Sequence, residues 1–307
     1  MSFLIRKIST FLSILFVNEM NDIINRDKKI YKIILKKIKK KKYKDLKITH
    51  VNFNNKIYNF IKAGKINNFL RVSFIQKMFF VHNRLFIFFE LNELKKKGWN
   101  FYRKLLVEDN VGNPVRYFLY PKSSGNRINH VYHLSLLNKH LKINLEDIEY
   151  VFEFGGGYGC MARIFSKINK NIKYVIFDTF LVSLLQFYYL KQNKMDVGFN
   201  NKHNFVLIDN LKSINKFRIN KSLFIANWSL SETPLSLRKK IESHIAHHEF
   251  ILIAFQEYFE EINNKKYFYD IKTKLKKKYK IKIIKNKFYK GNIMNKQNHF
   301  FFLGRKN

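Results

Sequence analysis

Cysteine is nearly absent from this sequence, which contains only Cys160 among its 307 residues. A single thiol excludes an intrachain disulfide and any zinc site built from several cysteines. A reducing, cytoplasmic setting is therefore the simplest expectation.

Long apolar runs are missing as well. The stretch from Phe3 to Val17 is apolar, but Arg6 and Lys7 interrupt it and it has no small-residue cleavage site. We expect neither a signal peptide nor a membrane-spanning helix there. The spacing of its apolar residues predicts an amphipathic helix that packs into a core or contacts a membrane surface.

Acidic residues are scarce: 22 Asp and Glu stand against 59 Lys and Arg, for a formal charge of +37. Such an excess suggests nucleic acid, an anionic membrane or an acidic substrate as a partner. An AT-rich genome would produce the same excess, since Lys, Asn, Ile and Phe are abundant from end to end, and both explanations stay open. The Lys-rich stretch from Lys36 to Lys44 is interpreted as a solvated helix face.

The residues that are present predict a folded protein with two different halves. A hydrophobic share of 46% and an aromatic share of 17% are typical of globular chains. Apolar spacing is mostly helical up to about residue 100. Turn-forming residues at Gly112 to Pro114 and Pro121 to Asn126 then predict a loop-rich connector. We expect a helical region over residues 1–145 and a second domain over residues 146–307.

After Tyr150, short β-branched and aromatic runs alternate with helical stretches, which is typical of an α/β fold with a parallel sheet. The predicted strands are Tyr150 to Phe154, Tyr174 to Asp178, Asn204 to Asp209, Ser222 to Trp228, Phe250 to Gln256, Lys280 to Lys287 and His299 to Gly304. The predicted helices between them are Gly159 to Ile168, Phe180 to Lys194, Pro234 to His247 and Tyr267 to Tyr279. The last two strands are joined too closely for a helical crossover, so we expect an antiparallel hairpin at the sheet edge.

A glycine-rich turn follows the first of these strands and leads directly into a helix. It contains Gly155, Gly156, Gly157 and Gly159. Glycines let a ligand approach the backbone, and the helix N-terminus offers free N–H groups. Asp178 closes the next strand, where a carboxylate can accept both hydroxyls of a ribose. Glu153 stands just before the first glycine, where it could hold a positively charged amino group.

Two other interpretations of this turn are open. A dinucleotide fingerprint built on Gly155 and Gly157 would need Gly or Ala at position 160, which is Cys160. A purely structural strand-to-helix turn is the second alternative. The form Glu-x-Gly-x-Gly-x-Gly instead resembles the first motif of class I methyltransferases, which use S-adenosylmethionine.

A wider resemblance extends over residues 80 to 304. It is carried by FVHN at 80–83, SSGNRINHVYHL at 123–134, EFGGGYGCMAR at 153–163, YVIFDTFLVSLLQFYYL at 174–190 and NWSLSETPLSLR at 227–238. These segments resemble the bacterial sugar O-methyltransferases associated with lipopolysaccharide or capsule. One departure is Phe180, where that family often has proline. The resemblance implies a Rossmann-like methyltransferase sheet, S-adenosylmethionine as cofactor, and a sugar, nucleotide-sugar or lipid-linked glycan as acceptor.

Methyl transfer to a hydroxyl needs a positioned acceptor and a base that takes its proton. The loop after the fourth strand carries Glu232, which could be that base or could interact with the dipole of the next helix. His130 and His133 lie three apart and would share a helix face. Either could be a base or an acceptor ligand, or simply a packed or surface residue.

Further candidates lie at strand ends. Asp209 could reach adenine or cap a loop, and Asn227 could contact the cofactor. Trp228 could stack on a sugar or pack in the core, and Ser229 is a candidate substrate contact. A metal ion is not expected, because no close spacing of ligands demands one. The cluster His244, His247 and His248 is interpreted as a solvated helix face.

Two rival functions remain at this point. A nucleic-acid methyltransferase would fit the positive charge, but amino-directed enzymes of that kind carry Asn or Asp, Pro, Pro and an aromatic residue where this chain has Asn227-Trp228-Ser229-Leu230. No nucleic-acid partner is therefore expected. The other rival is a non-catalytic basic protein with a Rossmann-like fold. We expect the protein in the cytoplasm, with peripheral contact at the inner membrane face as a further hypothesis, and no feature predicts an oligomeric state.

Overall fold

The computed structural model describes residues 27–41, 51–79, 81, 83–211, 220–289, 291–292 and 295–307. The helix predicted over Phe3 to Val17 lies outside them, as do residues 42–44 of the Lys-rich stretch. Within the described part of that stretch, the first helix, α1 (Lys28–Lys40), buries Tyr31, Ile34 and Ile38. Lys36, Lys39 and Lys40 are exposed, so this part of the prediction is confirmed.

The chain folds into two compact units that interleave along the sequence. The helical unit comprises the described part of Met1–Val131 together with Gly157–Arg163 and Thr179–Gly198. The sheet unit comprises Tyr132–Gly156, Ile164–Asp178 and the described part of Phe199–Asn307. The division into domains at residue 145 stays a prediction.

The N-terminal half is mainly helical, as expected. After α1 its elements are α2 (Val51–Lys62), a 3-10 helix (Ile66–Arg71), α3 (Ser73–Phe79), α4 (Leu85–Lys96), α5 (Trp99–Leu105), β1 (Arg116–Tyr117), β2 (Tyr120–Ser124) and α6 (Gly125–Leu141). The final elements of the helical unit are the start of α7 (Cys160–Ile168), α8 (Phe180–Gln192) and the two-residue strand β5 (Val197–Gly198), which the sequence did not predict.

The loop predicted over Pro121 to Asn126 is wrong. Residues up to Ser124 pair with β1 in an antiparallel ladder, and α6 begins at once at Gly125. The reason is a side-chain cap: the Ser124 hydroxyl accepts a hydrogen bond of 3.1 Å from the Arg127 backbone N–H. Gly112 and Asn113 do form a turn, with φ of 79° and 54°.

A buried ion-pair cluster stabilises the helical unit around α6. The Arg127 guanidinium has no exposed surface and lies 2.9 Å from Glu108 and 2.7 Å from Asp109. Arg163, at the start of α7, pairs with the same Asp109 at 2.8 Å. Pairing of this kind is required where charges are buried, because an unpaired buried charge is very costly.

The sheet unit contains the strands that the sequence predicted. They are β3 (Tyr150–Phe154), β4 (Lys173–Phe177), β6 (Phe205–Ile208), β7 (Ser222–Asn227), β8 (Phe250–Gln256), β11 (Tyr279–Lys285) and β14 (His299–Lys306). Their order is β11-β14-β8-β7-β3-β4-β6. The five strands from β8 to β6 in this order are parallel, whereas β14 is antiparallel to β8 and to β11.

This order is that of the Rossmann-like methyltransferase fold, with strands added outward on both sides of β3 and one antiparallel strand inserted near the edge. The predicted hairpin of the last two strands is confirmed. Two short hairpins were not predicted, β9 (Tyr258–Phe259) with β10 (Ile262–Asn263) and β12 (Gly291–Asn292) with β13 (Asn295–Lys296).

One face of the sheet is covered by α9 (Leu235–Ile245) and α10 (Asn264–Leu275). Ile241 and Phe268 from these helices join Phe152, Phe224 and Ile253 in one buried cluster. On the opposite face, Tyr132 of α6 contacts Phe301 of β14, with ring centroids 6.3 Å apart. Burial on both faces explains why the central strands are continuous apolar runs.

The interpretation of the three clustered histidines as a solvated face is wrong for His248. Helix α9 ends at Ile245, and the following turn places the His248 ring over β3, stacked on Tyr150 with centroids 5.8 Å apart. Burial lowers the pKa of His248 to about 3. His247 is exposed as expected. Of the described helices, none is long and apolar enough to cross a bilayer.

Candidate active site

Several candidate residues meet at one edge of the sheet, which we call the carboxyl edge. It is formed by the residues at or just after the ends of the parallel strands: Gly155, Asp178, Asp209, Asn227, Trp228 and Gln256. Because β14 runs in the opposite direction, its first residue, His299, pairs with Gln256 at this same edge. In open α/β sheets this edge is where ligands bind. All of these residues belong to the sheet unit.

Glu153 is a buried carboxyl immediately before the glycine turn, with 3% of its surface exposed. Its Oε2 accepts a hydrogen bond of 2.8 Å from the Tyr174 hydroxyl. Burial raises the pKa of Glu153 to about 8, and the negative charge of Asp178 adds to the rise while the Tyr174 hydrogen bond opposes it. A cation bound beside this carboxyl would remove the penalty for ionising it.

The first two glycines of the turn after β3 are packed too closely for a side chain. Gly155 has φ of +71°, and a Cβ built on it would lie 2.3 Å from the Cβ of Ser229. A Cβ on Gly156 would lie 2.6 Å from Ile176 and 2.9 Å from the Glu153 carboxyl. The Ser229 hydroxyl donates to the Phe154 carbonyl, so Ser229 fixes the turn. Its contact with a substrate stays a prediction.

The remaining glycines of the turn belong to the helical unit. Gly157 and Gly159 have φ of +55° and +98°. The Gln186 side chain donates a hydrogen bond of 2.9 Å to the Gly157 carbonyl. A Cβ on Gly157 would meet Phe79 only at ordinary contact distance, 3.5 Å, so its backbone angle is what favours glycine there.

The two acids after β4 and β6 stand at the carboxyl edge as predicted from strand ends. Asp178 continues the ladder by one residue, since its backbone N–H donates to the Ile208 carbonyl at 3.0 Å. Its side chain is half-buried, whereas Asp209 is exposed. Their assignment to ribose and adenine stays a prediction.

Trp228 adopts a strained conformation directly after β7. Its φ is +61°, which a bulky side chain rarely adopts. The backbone N–H donates to Ala254 at 2.8 Å, and the indole Nε1–H donates to Nδ1 of His299 at 3.2 Å. The backbone and the ring of Trp228 are thus each held by a hydrogen bond.

His133 is brought to the same place by α6. Its Nδ1 lies 3.0 Å from the Asn227 Oδ1, and its ring centroid lies 5.3 Å from that of Trp228 and 4.8 Å from that of Phe301. The side chain has no exposed surface, and burial lowers its pKa to about 4. These contacts suit a residue that positions Asn227 and Trp228. His130 belongs to the helical unit.

Glu232 is held by a chain of hydrogen bonds that begins at Ser231 and passes through Gln256. The Ser231 hydroxyl donates to Gln256 Oε1 at 2.7 Å, and the Gln256 amide donates to Glu232 Oε1 at 3.2 Å. Although part of Glu232 reaches solvent, desolvation by the surrounding protein raises its pKa. Helix α9 has no side-chain hydrogen bond at its N-cap, Pro234, so Glu232 does not cap it through a hydrogen bond.

Sequence reasoning missed Gln256 and His299. His299 is 8% exposed, its ring lies 4.3 Å from that of Tyr289, and burial lowers its pKa to about 4. One signal could have found it: the predicted antiparallel hairpin places the first residue of the last strand at the edge where the parallel strands end. Over the described ranges, no group of three His, Cys, Asp or Glu side chains is arranged to hold a metal ion.

No family model matches the sequence, and no curated protein matches it. Solved structures of methyltransferases resemble the fold at low identity. Phosphoethanolamine N-methyltransferase 2 of Haemonchus contortus, solved with S-adenosylhomocysteine, aligns with a TM-score of 0.42 and 11% identity over 70% of this chain and 59% of that chain. The methyltransferase domain of bacterial CtHen1 aligns with a TM-score of 0.41 and 8% identity over 58% and 99%.

Proposed function

We propose that this protein is an S-adenosylmethionine-dependent O-methyltransferase that acts on a sugar hydroxyl. One observation carries the cofactor assignment: Glu153 lies just before the Gly155–Gly156 turn, and Asp178 follows the neighbouring parallel strand β4 at the same carboxyl edge. A buried carboxyl suits the ammonium group of a methionine moiety, and a half-buried Asp at the end of the next strand suits the ribose hydroxyls.

The side chains present fit this cofactor chemically. Ionised Glu153 is costly to bury without a cation, and an ammonium group would supply that cation. When bound, the cofactor supplies a sulfonium whose methyl group moves to the acceptor oxygen as the bond to sulfur breaks. The protein has to align that oxygen and accept its proton.

Glu232 is the better candidate for the base. It is open to solvent on one side, and its raised pKa makes it a stronger proton acceptor than an ordinary carboxylate. His133 has no exposed surface through which an acceptor could reach it. We therefore assign His133 to positioning and Glu232 to proton removal.

The sugar assignment is supported by the resemblance of the segment from Asn227 to Arg238 to sugar O-methyltransferases. The same loop lacks the double proline of amino-directed nucleic-acid enzymes. We propose a nucleotide-sugar or lipid-linked glycan as acceptor, methylated in the cytoplasm, with the basic surface attracting its phosphates or an anionic membrane.

Calorimetric titration tests the cofactor assignment. Wild type should bind S-adenosylmethionine, and Asp178→Ala should weaken binding about 10- to 100-fold through loss of hydrogen bonds to a charged group. Asp270→Ala, which removes an exposed aspartate on α10, is the matched control and should bind as wild type does. Failure of wild type to bind would favour the non-catalytic interpretation.

Labelled methyl transfer then tests the acceptor. Nucleotide sugars, lipid-linked glycan fragments and RNA are incubated with enzyme and labelled cofactor, with Glu232→Gln as the inactive comparison. Label on a sugar in wild type alone supports the proposal. Label on RNA would replace it with the nucleic-acid function.

A further inference from the structure

The ring of Trp228 contacts two buried histidines that come from distant parts of the chain. His133 lies on α6 and His299 begins β14, and their ring centroids are 5.3 Å and 6.4 Å from that of Trp228. Both histidines belong to the sheet unit, and burial lowers the pKa of each to about 4. Both rings are therefore neutral at pH 7, and each carries one proton on one of its two nitrogens.

The hydrogen bonds of the two rings require opposite tautomers. His133 Nδ1 faces a carbonyl oxygen, Oδ1 of Asn227, so Nδ1 carries the proton and Nε2 carries the lone pair. His299 Nδ1 faces the Trp228 indole N–H, which can only donate. His299 Nδ1 must therefore accept, and its proton lies on Nε2.

This tautomer limits what His299 can do. A neutral ring with its proton on Nε2 can donate a hydrogen bond from that atom but cannot take a proton there. His299 is thus excluded as a general base through Nε2. It pairs with Gln256, whose amide donates a hydrogen bond to the Glu232 carboxyl, so Gln256 stands between a hydrogen-bond donor and a proton acceptor at this edge.

We propose that His299 is an acceptor-binding residue, whose Nε2–H donates a hydrogen bond to an oxygen of the acceptor and whose tautomer is fixed by the Trp228 indole. The inference rests on the proposed function and deepens it. It requires an acceptor with an oxygen near the methylated hydroxyl, as a sugar ring provides. A site built around a donor discriminates strongly against an analogue that lacks the matching oxygen.

Strain at Trp228 agrees with this assignment. A tryptophan rarely adopts a positive φ, and backbone strain of this kind is often found at functional sites. In this conformation the Trp228 indole N–H donates to Nδ1 of His299.

Two substitutions test the roles of the two ring nitrogens of His299 separately. In His299→Asn, the side-chain oxygen stands near the place of Nδ1 and can still accept from Trp228, but the donor at Nε2 is lost. In His299→Gln, an amide N–H reaches the place of Nε2 while the partner of the indole is lost. Emission from Trp228, in a Trp99→Phe background that removes the other tryptophan, checks that the ring keeps its surroundings in His299→Asn.

Kinetics and nitrogen-15 NMR test the proposal together. With the best sugar acceptor from the labelled-methyl panel, His299→Asn should raise the acceptor KM about 10- to 100-fold and leave S-adenosylmethionine affinity unchanged, while His299→Gln should retain more acceptor affinity. The NMR spectrum of wild type should show His299 protonated on Nε2 and His133 on Nδ1.

Unchanged KM in His299→Asn, or an NMR spectrum with His299 protonated on Nδ1, would overturn the proposal while leaving the methyltransferase function intact. Absence of cofactor binding in wild type, or of turnover with every sugar tested, would instead overturn the function on which it rests.

Discussion

Replacing Glu153 by Gln should stabilise the free protein while weakening its binding of cofactor. The substitution removes the charge of a carboxyl that is 3% exposed and keeps a carbonyl oxygen to accept the Tyr174 hydroxyl. A stabilising effect is expected because burial raises the pKa of this carboxyl from 4.5 to about 8. The folded chain therefore holds the proton more tightly than the unfolded chain does.

The pH dependence follows from this difference. Below pH 4.5 both states are protonated and ionisation carries no penalty. Between pH 4.5 and 8 the unfolded chain releases the proton first, so wild type loses stability as the pH rises. Since one pKa unit is worth about 1.4 kcal/mol, the loss reaches about 3 kcal/mol at pH 7 and about 5 kcal/mol above pH 8. Glu153→Gln escapes this loss.

Urea unfolding of both proteins from pH 5 to pH 8 measures the effect. The difference in free energy of unfolding should grow with pH in favour of Glu153→Gln. Tyr174→Phe, which removes a hydrogen bond that lowers the pKa, should extend the loss in otherwise wild-type protein to higher pH. A difference that does not change with pH, or wild type as the more stable protein at pH 8, would contradict a raised pKa at Glu153.

Other substitutions test the packing around the site and the two units. Gly155→Ala should cost about 2–5 kcal/mol in urea unfolding, from positive φ and the clash with Ser229. Adding Ser229→Gly should recover part of it, and no recovery would exclude the clash. Arg127→Met should cost about 3–5 kcal/mol by leaving Glu108 buried and unpaired, and an unchanged Tm would contradict that ion pair. Burial lowers the pKa of His248 to about 3, so the folded protein disfavours the charged ring. The free energy of unfolding is therefore highest above pH 6.5 and falls as the pH drops below that value. His248→Asn should therefore reduce the loss between pH 7 and pH 5, about 2 kcal/mol, and an equal loss in both proteins would contradict a buried neutral ring.

The strands of the sheet were predictable because burial on both faces makes them continuous apolar runs. Phe250–Gln256 matches its predicted span, and the hairpin of the last two strands followed from a short connection. The two residues of β5 are too few to produce a pattern. The strand ending at Ser124 was missed because it forms by pairing with Arg116–Tyr117, and the sequence of the strand itself does not indicate that pairing.

Residues of the candidate site could be predicted where their position follows from the end of a single predicted strand. Glu153, Asp178 and Trp228 were found in this way, and all three lie at or beside the carboxyl edge. The contact between Trp228 and His299 joins residues 71 positions apart and has no local signal. Burial also could not be predicted at single positions, because the sequence alone does not distinguish a histidine in a solvated turn from one that packs over β3.

A crystal structure of the protein with S-adenosylhomocysteine would show whether the cofactor binds at the carboxyl edge of the sheet. The ribose hydroxyls should lie within hydrogen-bond distance of the Asp178 carboxylate, and the ligand amino group should lie near Glu153, beside the turn at Gly155. A ligand bound elsewhere on the molecule, or an amino group far from Glu153, would contradict it.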